Sequence, residues 1–289
     1  MTTFTAAVRA AWPGWARLTE LQRLTAVPGQ AGRLLQALGV PRVQILVDPA
    51  GKLAGTETYA AFNPDSWGLW FRADVIAAGI TEDEFWRMAN IAYHECRHAE
   101  QNWRLARKLA GDGWDAARIR AALGVPDPVA AAAVATPLTS GAEYAETADW
   151  QYNLLRDGHG VSAASLVNDK KEAAMAAYRK SRDQWRLFER TRDGDPTVAP
   201  VNLRNYRDRL AEPGGALALE QIGADLKKDY VRDRELAKQS FLAYARMPVE
   251  ADAWAVGALV QARAGRAPLT PDTELANLDT DERTMLRIQ

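Results

Sequence analysis

Residues 94–98 read His-Glu-Cys-Arg-His, and they fall inside a long stretch with helical periodicity. Two histidines four apart share one face of an α-helix, so both imidazoles point toward one place. This fixes a helix and a metal-capable face together, and the remaining fold must leave that face accessible. The chain has only three histidines, His94, His98 and His159, and two of them lie within this five-residue run. Thr81 with Glu84 three residues later is a capping box, which predicts a helix start at Thr81. The helix is expected to end near Leu109, before Gly111. Phe85, Ala89, Ala92, Cys96, Ala99 and Trp103 recur at spacings of three and four and predict its core-facing stripe.

Neutral imidazoles suit zinc, with Zn–N distances of about 2.0–2.1 Å. Glu95 stands beside them, placed to bond a metal-held water and take its proton as a general base. A catalytic zinc needs one more protein ligand and an open position. Glu250 is the first candidate: Pro248 suits the first turn of a helix, so Glu250 stands near that helix start. Ala253 and Ala255 are small enough for a close approach to the 81–109 helix, and Asp252 is placed to orient a ligand histidine through its second nitrogen. Glu143, Glu146 and His159 are the alternatives for the third ligand. Tyr244, just ahead of the Glu250 helix, is a candidate donor to a developing oxyanion, with Tyr93 second. Cys96 reads as a small buried hydrophobe.

The rest of the chain predicts an α+β fold that is mostly helical. Strands are expected at 42–47, 56–62 and 67–72, the last two joined by the turn Asn63-Pro64-Asp65. Helices are expected at 8–24, 31–38, 115–123, 128–135, 141–156, 163–190, 215–245 and 248–264, with 193–200 as a loop. The long polar helices 163–190 and 215–245 suggest an antiparallel hairpin. Three regions follow: 1–112 with the strands and the histidine helix, 113–245 as a helical insertion, and 246–289 with the Glu250 helix and a tail.

Charge and composition exclude several functions. Net charge is −1 with mixed signs along the chain, so no field draws in nucleic acid. The single cysteine, Cys96, excludes an intramolecular disulfide framework. No apolar run is long enough to cross a bilayer, and no membrane insertion is expected. Met1–Pro13 lacks the pattern of a secretory signal. The expectation is cytoplasmic synthesis, with any export left to a dedicated secretion or injection system.

His94-Glu95-Cys-Arg-His98 followed by Ala99-Glu100-Gln101 resembles the active helix of zincin metallopeptidases. Together with Glu250-Ala-Asp-Ala it is similar to the gluzincin branch, which uses two His and one Glu. The run from Tyr244 through Met-Pro-Val-Glu-Ala-Asp-Ala-Trp also resembles zincin-like domains of bacterial toxins and phage-tail-like injection systems. The resemblance covers about residues 15–110 and 240–258 and implies a zincin-like core, a small sheet packed on the histidine helix. It also implies His94, His98 and Glu250 as Zn2+ ligands and Glu95 as base. Glu250 lies 152 residues beyond His98, a longer gap than compact gluzincins have. The expected activity is hydrolysis of peptide bonds, as a zinc metallopeptidase. The expected partners are a protein or peptide substrate and, for an effector or toxin, a secretion-system, phage-tail or inhibitor protein. The alternative is a non-catalytic zinc-stabilised structural or partner-binding protein.

Overall fold

The computed structural model describes residues 2–48, 51, 53, 59–276 and 278. The fold is mostly α with one small sheet. Its helices are α1 (Thr2–Ala11), α2 (Glu20–Ala26), α3 (Pro28–Ala37), α4 (Glu82–Gly111), α5 (Ala116–Leu123) and α6 (Asp127–Ala135). They continue as α7 (Ala142–Leu154), α8 (Ala163–Arg192), α9 (Pro200–Ala211), α10 (Gly215–Ala245) and α11 (Pro248–Arg263). The strands are β1 (Gln44–Val47), β2 (Ala60–Asn63) and β3 (Gly68–Phe71).

The chain divides into two compact units. The first holds residues 1–165 and 245–271, and the second holds 166–244 and 272–289. The first unit thus runs past residue 112, the expected end of the region with the strands and the histidine helix. The reason is burial: Ile119, Leu123, Val129, Ala130 and Ala133 join the same core as Phe85 and Ala92. The residues after 165 form an insertion between α7 and α11 in the chain order of the first unit.

In the first unit α4 is the central element, with α3, α6, α7, α11 and β2 packed on it. Its start is the capping box read from the sequence: Glu84 N donates to Thr81 Oγ1 at 3.3 Å, and Thr81 N donates to Glu84 Oε2 at 2.7 Å. The whole stripe Phe85, Ala89, Ala92, Cys96, Ala99 and Trp103 is buried. Phe85 lies between Trp12 and Trp15, with ring centroids 5.0 and 4.9 Å away. Complete burial of such a side chain stabilises by about 2–3 kcal/mol.

The sheet has the order β1-β3-β2. β1 pairs parallel with β3, Gln44 opposite Gly68, and β2 pairs antiparallel, Ala60 opposite Phe71. The β2–β3 turn works as expected: Asn63 Oδ1 accepts from Ser66 N at 2.9 Å. Trp67 closes it with φ of 52°, a left-handed conformation unusual for a bulky residue, held by burial of its ring. The segment expected as strand at 56–58 lies outside the described residues.

In the second unit α8 and α10 run antiparallel. Tyr178 and Trp185 of α8 stack on Tyr230, while Phe188 lies against Gly223, so the contacts descend along α10 as they ascend along α8. α9 occupies a stretch after residue 200 for which the sequence suggested no helix, and residues 271–276 are also helical. Among the described residues no helix is long and apolar enough to cross a membrane.

Candidate metal centre

One turn of α4 separates His94 from His98. Their rings meet edge to face, centroids 4.8 Å apart, and the two Nε2 atoms are 3.1 Å apart. The donor atoms of His94, Glu95 and His98 all lie within 4.8 Å of one another, a group able to hold a metal ion. Glu250 comes closer than Glu95. Its Oε2 is 3.5 Å from His94 Nε2 and its Oε1 is 3.4 Å from His98 Nε2, whereas Glu95 Oε1 is 4.0 Å from His94 Nε2.

α11 brings Glu250 to α4 because small residues line their contact. Ala253 is buried, and a Cβ at Gly257 would lie 3.0 Å from Asn90 Oδ1 and 3.3 Å from Asn90 O. Ala255, expected on this face, is exposed, and Gly257 takes the role instead. Pro248 opens α11, as its missing N–H allows, and Glu250 follows in the first turn where the helix dipole favours a carboxylate. Trp254 lies edge to face with His94 at 5.1 Å.

Glu95 is held from the sheet. Phe62 N of β2 donates to its Oε2 at 2.8 Å, which leaves Oε1 on the His94 side. Asp252 does not orient a histidine directly, as the sequence had suggested. It holds Arg97, Nε at 2.7 Å and Nη2 at 3.1 Å, and it accepts from Gln101 Nε2 at 2.7 Å. Gln101 is the residue at the ring, with Oε1 2.9 Å from His98 Nδ1.

Charge in the centre is paired. Burial alone would raise the Glu250 carboxyl, but the imidazoles of His98 and His94 outweigh it and hold the group well below the usual carboxylate range. Burial works against a charge on His98, yet the Glu250 carboxylate, Glu95 and Gln101 push it up to about 9. Glu250 Oε2 is buried and has no hydrogen-bond partner. Asn90, one turn before His94, is wholly buried, with both amide atoms unpartnered.

The alternative ligands are engaged elsewhere. Glu146 pairs with Arg104 Nη1 at 2.7 Å and Arg97 Nη2 at 3.1 Å, and Glu143 with Arg104 Nε at 3.3 Å. His159 is exposed in a turn where its N–H donates to Asp157 Oδ1. Cys96 is buried, and burial raises its thiol pKa well above the ordinary value. Tyr93 packs on Phe4, centroids 5.2 Å apart. Tyr244 lies in the last turn of α10, in the second unit, with Lys171 Nζ 4.0 Å from its ring centroid.

Gln101, Arg97 and Gly257 were not identified as site residues from the sequence. Gln101 carried a signal, since position i+3 from His98 is its neighbour on the helix surface. No protein-family model matches the chain, and neither a curated protein nor a solved structure matches it.

Proposed function

We propose that the first unit is a zinc-dependent peptidase with His94, His98 and Glu250 as ligands and Glu95 as general base. One observation carries this reading: the two Nε2 atoms lie 3.1 Å apart, with Glu250 Oε1 3.4 Å from that of His98 and Glu250 Oε2 3.5 Å from that of His94. Tetrahedral ligands at zinc distances stand about 3.4 Å from one another. Glu250 Oε2 is buried 3.5 Å from His94 Nε2 and has no hydrogen-bond partner, and a bound cation would give it a ligating one. Two neutral nitrogens and one carboxylate are a zinc donor set.

Zinc held there would act as a Lewis acid and lower the pKa of a bound water to about 7. Glu95 Oε1 would be the group that accepts a proton from the attacking water and passes it to the leaving amine. Phe62 N fixes Glu95 through Oε2, so the base is aimed before substrate arrives. Tyr244 belongs to the second unit and has no part in this reading. A role as a delivered effector rests on the resemblance of residues 244–254 to toxin-associated zincin-like domains.

The test combines metal analysis with cleavage of a randomised peptide library by the zinc-loaded full chain. Glu95→Gln is expected to retain one zinc and to cleave at least about 100-fold more slowly. Cleavage by Glu95→Gln at the wild-type rate would sink the mechanism. One tightly held zinc with no library member cut, and a fold that melts when zinc is removed, would support the non-catalytic alternative.

A further inference from the structure

Gln101 is wholly buried between α4 and α11. Its Nε2 lies 2.8 Å from Val249 O and 2.7 Å from Asp252 Oδ2. A main-chain carbonyl and a carboxylate only accept hydrogen bonds, so both amide protons are directed at them. This fixes the amide, and its oxygen faces His98 Nδ1 at 2.9 Å. An oxygen without a proton can only accept, so Nδ1 carries the proton. A neutral ring then keeps its lone pair on Nε2, the nitrogen 3.1 Å from His94 Nε2 and 3.4 Å from Glu250 Oε1. The opposite tautomer would set two lone pairs against each other at Nδ1.

The same amide acts on both helices. Val249 immediately precedes Glu250, so the bond to Val249 O ties the start of α11 to the turn of α4 that bears His98. Asp252 is in turn held by two nitrogens of Arg97, whose guanidinium lies 5.2 Å from the Trp150 ring centroid. A chain of charged and neutral hydrogen bonds therefore runs Arg97–Asp252–Gln101–His98.

We infer that Gln101 is a positioning residue of the metal centre: it sets the tautomer and ring plane of His98 and anchors the main chain beside Glu250. This inference rests on the metal-site reading above. A carboxamide does here what a carboxylate or carbonyl commonly does for a ligand histidine.

The experiment uses the full chain with Zn2+ as the probe. Zinc affinity is measured by competition with a chromophoric chelator, and imidazole nitrogens are followed by 15N NMR, where three histidines give a simple spectrum. Wild type is expected to show His98 with zinc on Nε2 and a proton on Nδ1. Gln101→Met, close in volume but unable to accept, is expected to weaken zinc binding about 10–100-fold. Gln101→Glu still accepts from Nδ1 and is expected to bind zinc more tightly than Gln101→Met, although Asp252 makes it no more stable. Zinc affinity that merely follows melting temperature across the two variants, or Gln101→Met binding like wild type, would overturn the inference. So would a His98 signal with zinc or a lone pair on Nδ1, which needs no variant to fold. A wild-type chain that takes up no zinc refutes the metal-site reading instead, and the clamp is then judged by the same shifts on the zinc-free protein, recorded at a pH high enough for the His98 ring to be neutral.

Discussion

Gly257→Ala tests whether the closeness of α4 and α11 sets the ligand spacing. Gly257 lies in a helix interior with ordinary φ, where alanine normally stabilises by about 1 kcal/mol. Here the added Cβ would stand 3.0 Å from Asn90 Oδ1 and 3.3 Å from Asn90 O, against about 3.5 Å or more for a relaxed contact. The Asn90 amide has no partner to lose and can turn aside. The main-chain oxygen cannot, so α11 must move by a few tenths of an ångström. Overpacking of this kind costs about 1–3 kcal/mol, which exceeds the propensity gain. The expected net loss is about 1 kcal/mol, or roughly 2–4 °C in melting temperature for a unit of this size. Glu250 lies two turns away on the same face of α11, and ligand distances in metal sites stay within about 0.2 Å of their usual values. Zinc affinity should therefore fall in a protein that still folds. Thermal melts of the zinc-free chain and a chelator-competition titration measure both effects. A variant that melts higher and binds zinc as before would refute the argument that this contact sets the spacing.

Glu250→Ala should cost about a quarter of the 10–16 kcal/mol typical of a four-ligand zinc site, hence roughly 60- to 900-fold in zinc affinity, while Glu143→Ala and Glu146→Ala leave it unchanged. Equal losses in all three would remove Glu250 from the ligand set. In the zinc-free chain His98 is raised from 6.5 to about 9 by Glu250, with burial opposing, so its stabilisation is full below pH 6.5 and is lost as pH rises through about 9. Glu250 is lowered from 4.5, so its contribution is present above pH 4.5 and lost as pH falls through its depressed value. Melting temperature with chelator present should thus decline between pH 6.5 and 9, and saturating zinc should flatten that decline; a zinc-free melting temperature that rises over this range would contradict the ion pair.

What could be read from the sequence was local. The capping box Thr81–Glu84 and the stripe from Phe85 to Trp103 place α4 almost residue for residue, because both signals lie within a few turns. The turn at Asn63-Pro64 likewise needs only its own side chains. α9 escaped because it has no buried residue and so no apolar period, and because Pro200, read as a loop end, stands at a helix start. The clamp at Gln101 and the contact at Gly257 escaped for another reason. Each depends on a helix more than 140 residues away, and a glutamine or glycine carries no sign of a partner at that distance. The break at 165/166 was hidden because α5, α6 and α7 resemble the helices that follow them in composition, though they bury against α4.

The stripe predicts one buried face for α4, yet the helix is also buried along Asn90, His94 and Gln101. α11 covers that second side, and the contact it makes is polar where an apolar one would be more stable. Asn90 and Glu250 Oε2 are buried without hydrogen-bond partners, and each such group costs about 1–3 kcal/mol. Well-packed apolar residues commonly replace a buried charged set with no loss of stability, so folding alone does not account for His94, His98, Glu250 and Gln101 in one place. The proposed zinc does account for them. It would supply the partner that Glu250 Oε2 lacks, and it would give the two Nε2 atoms, 3.1 Å apart, a reason to face each other. The separation of 152 positions from His98 to Glu250 then presents no obstacle. Part of that span is α5, α6 and α7 of the same unit, the rest is the inserted second unit, and the chain returns at residue 245 to complete the first.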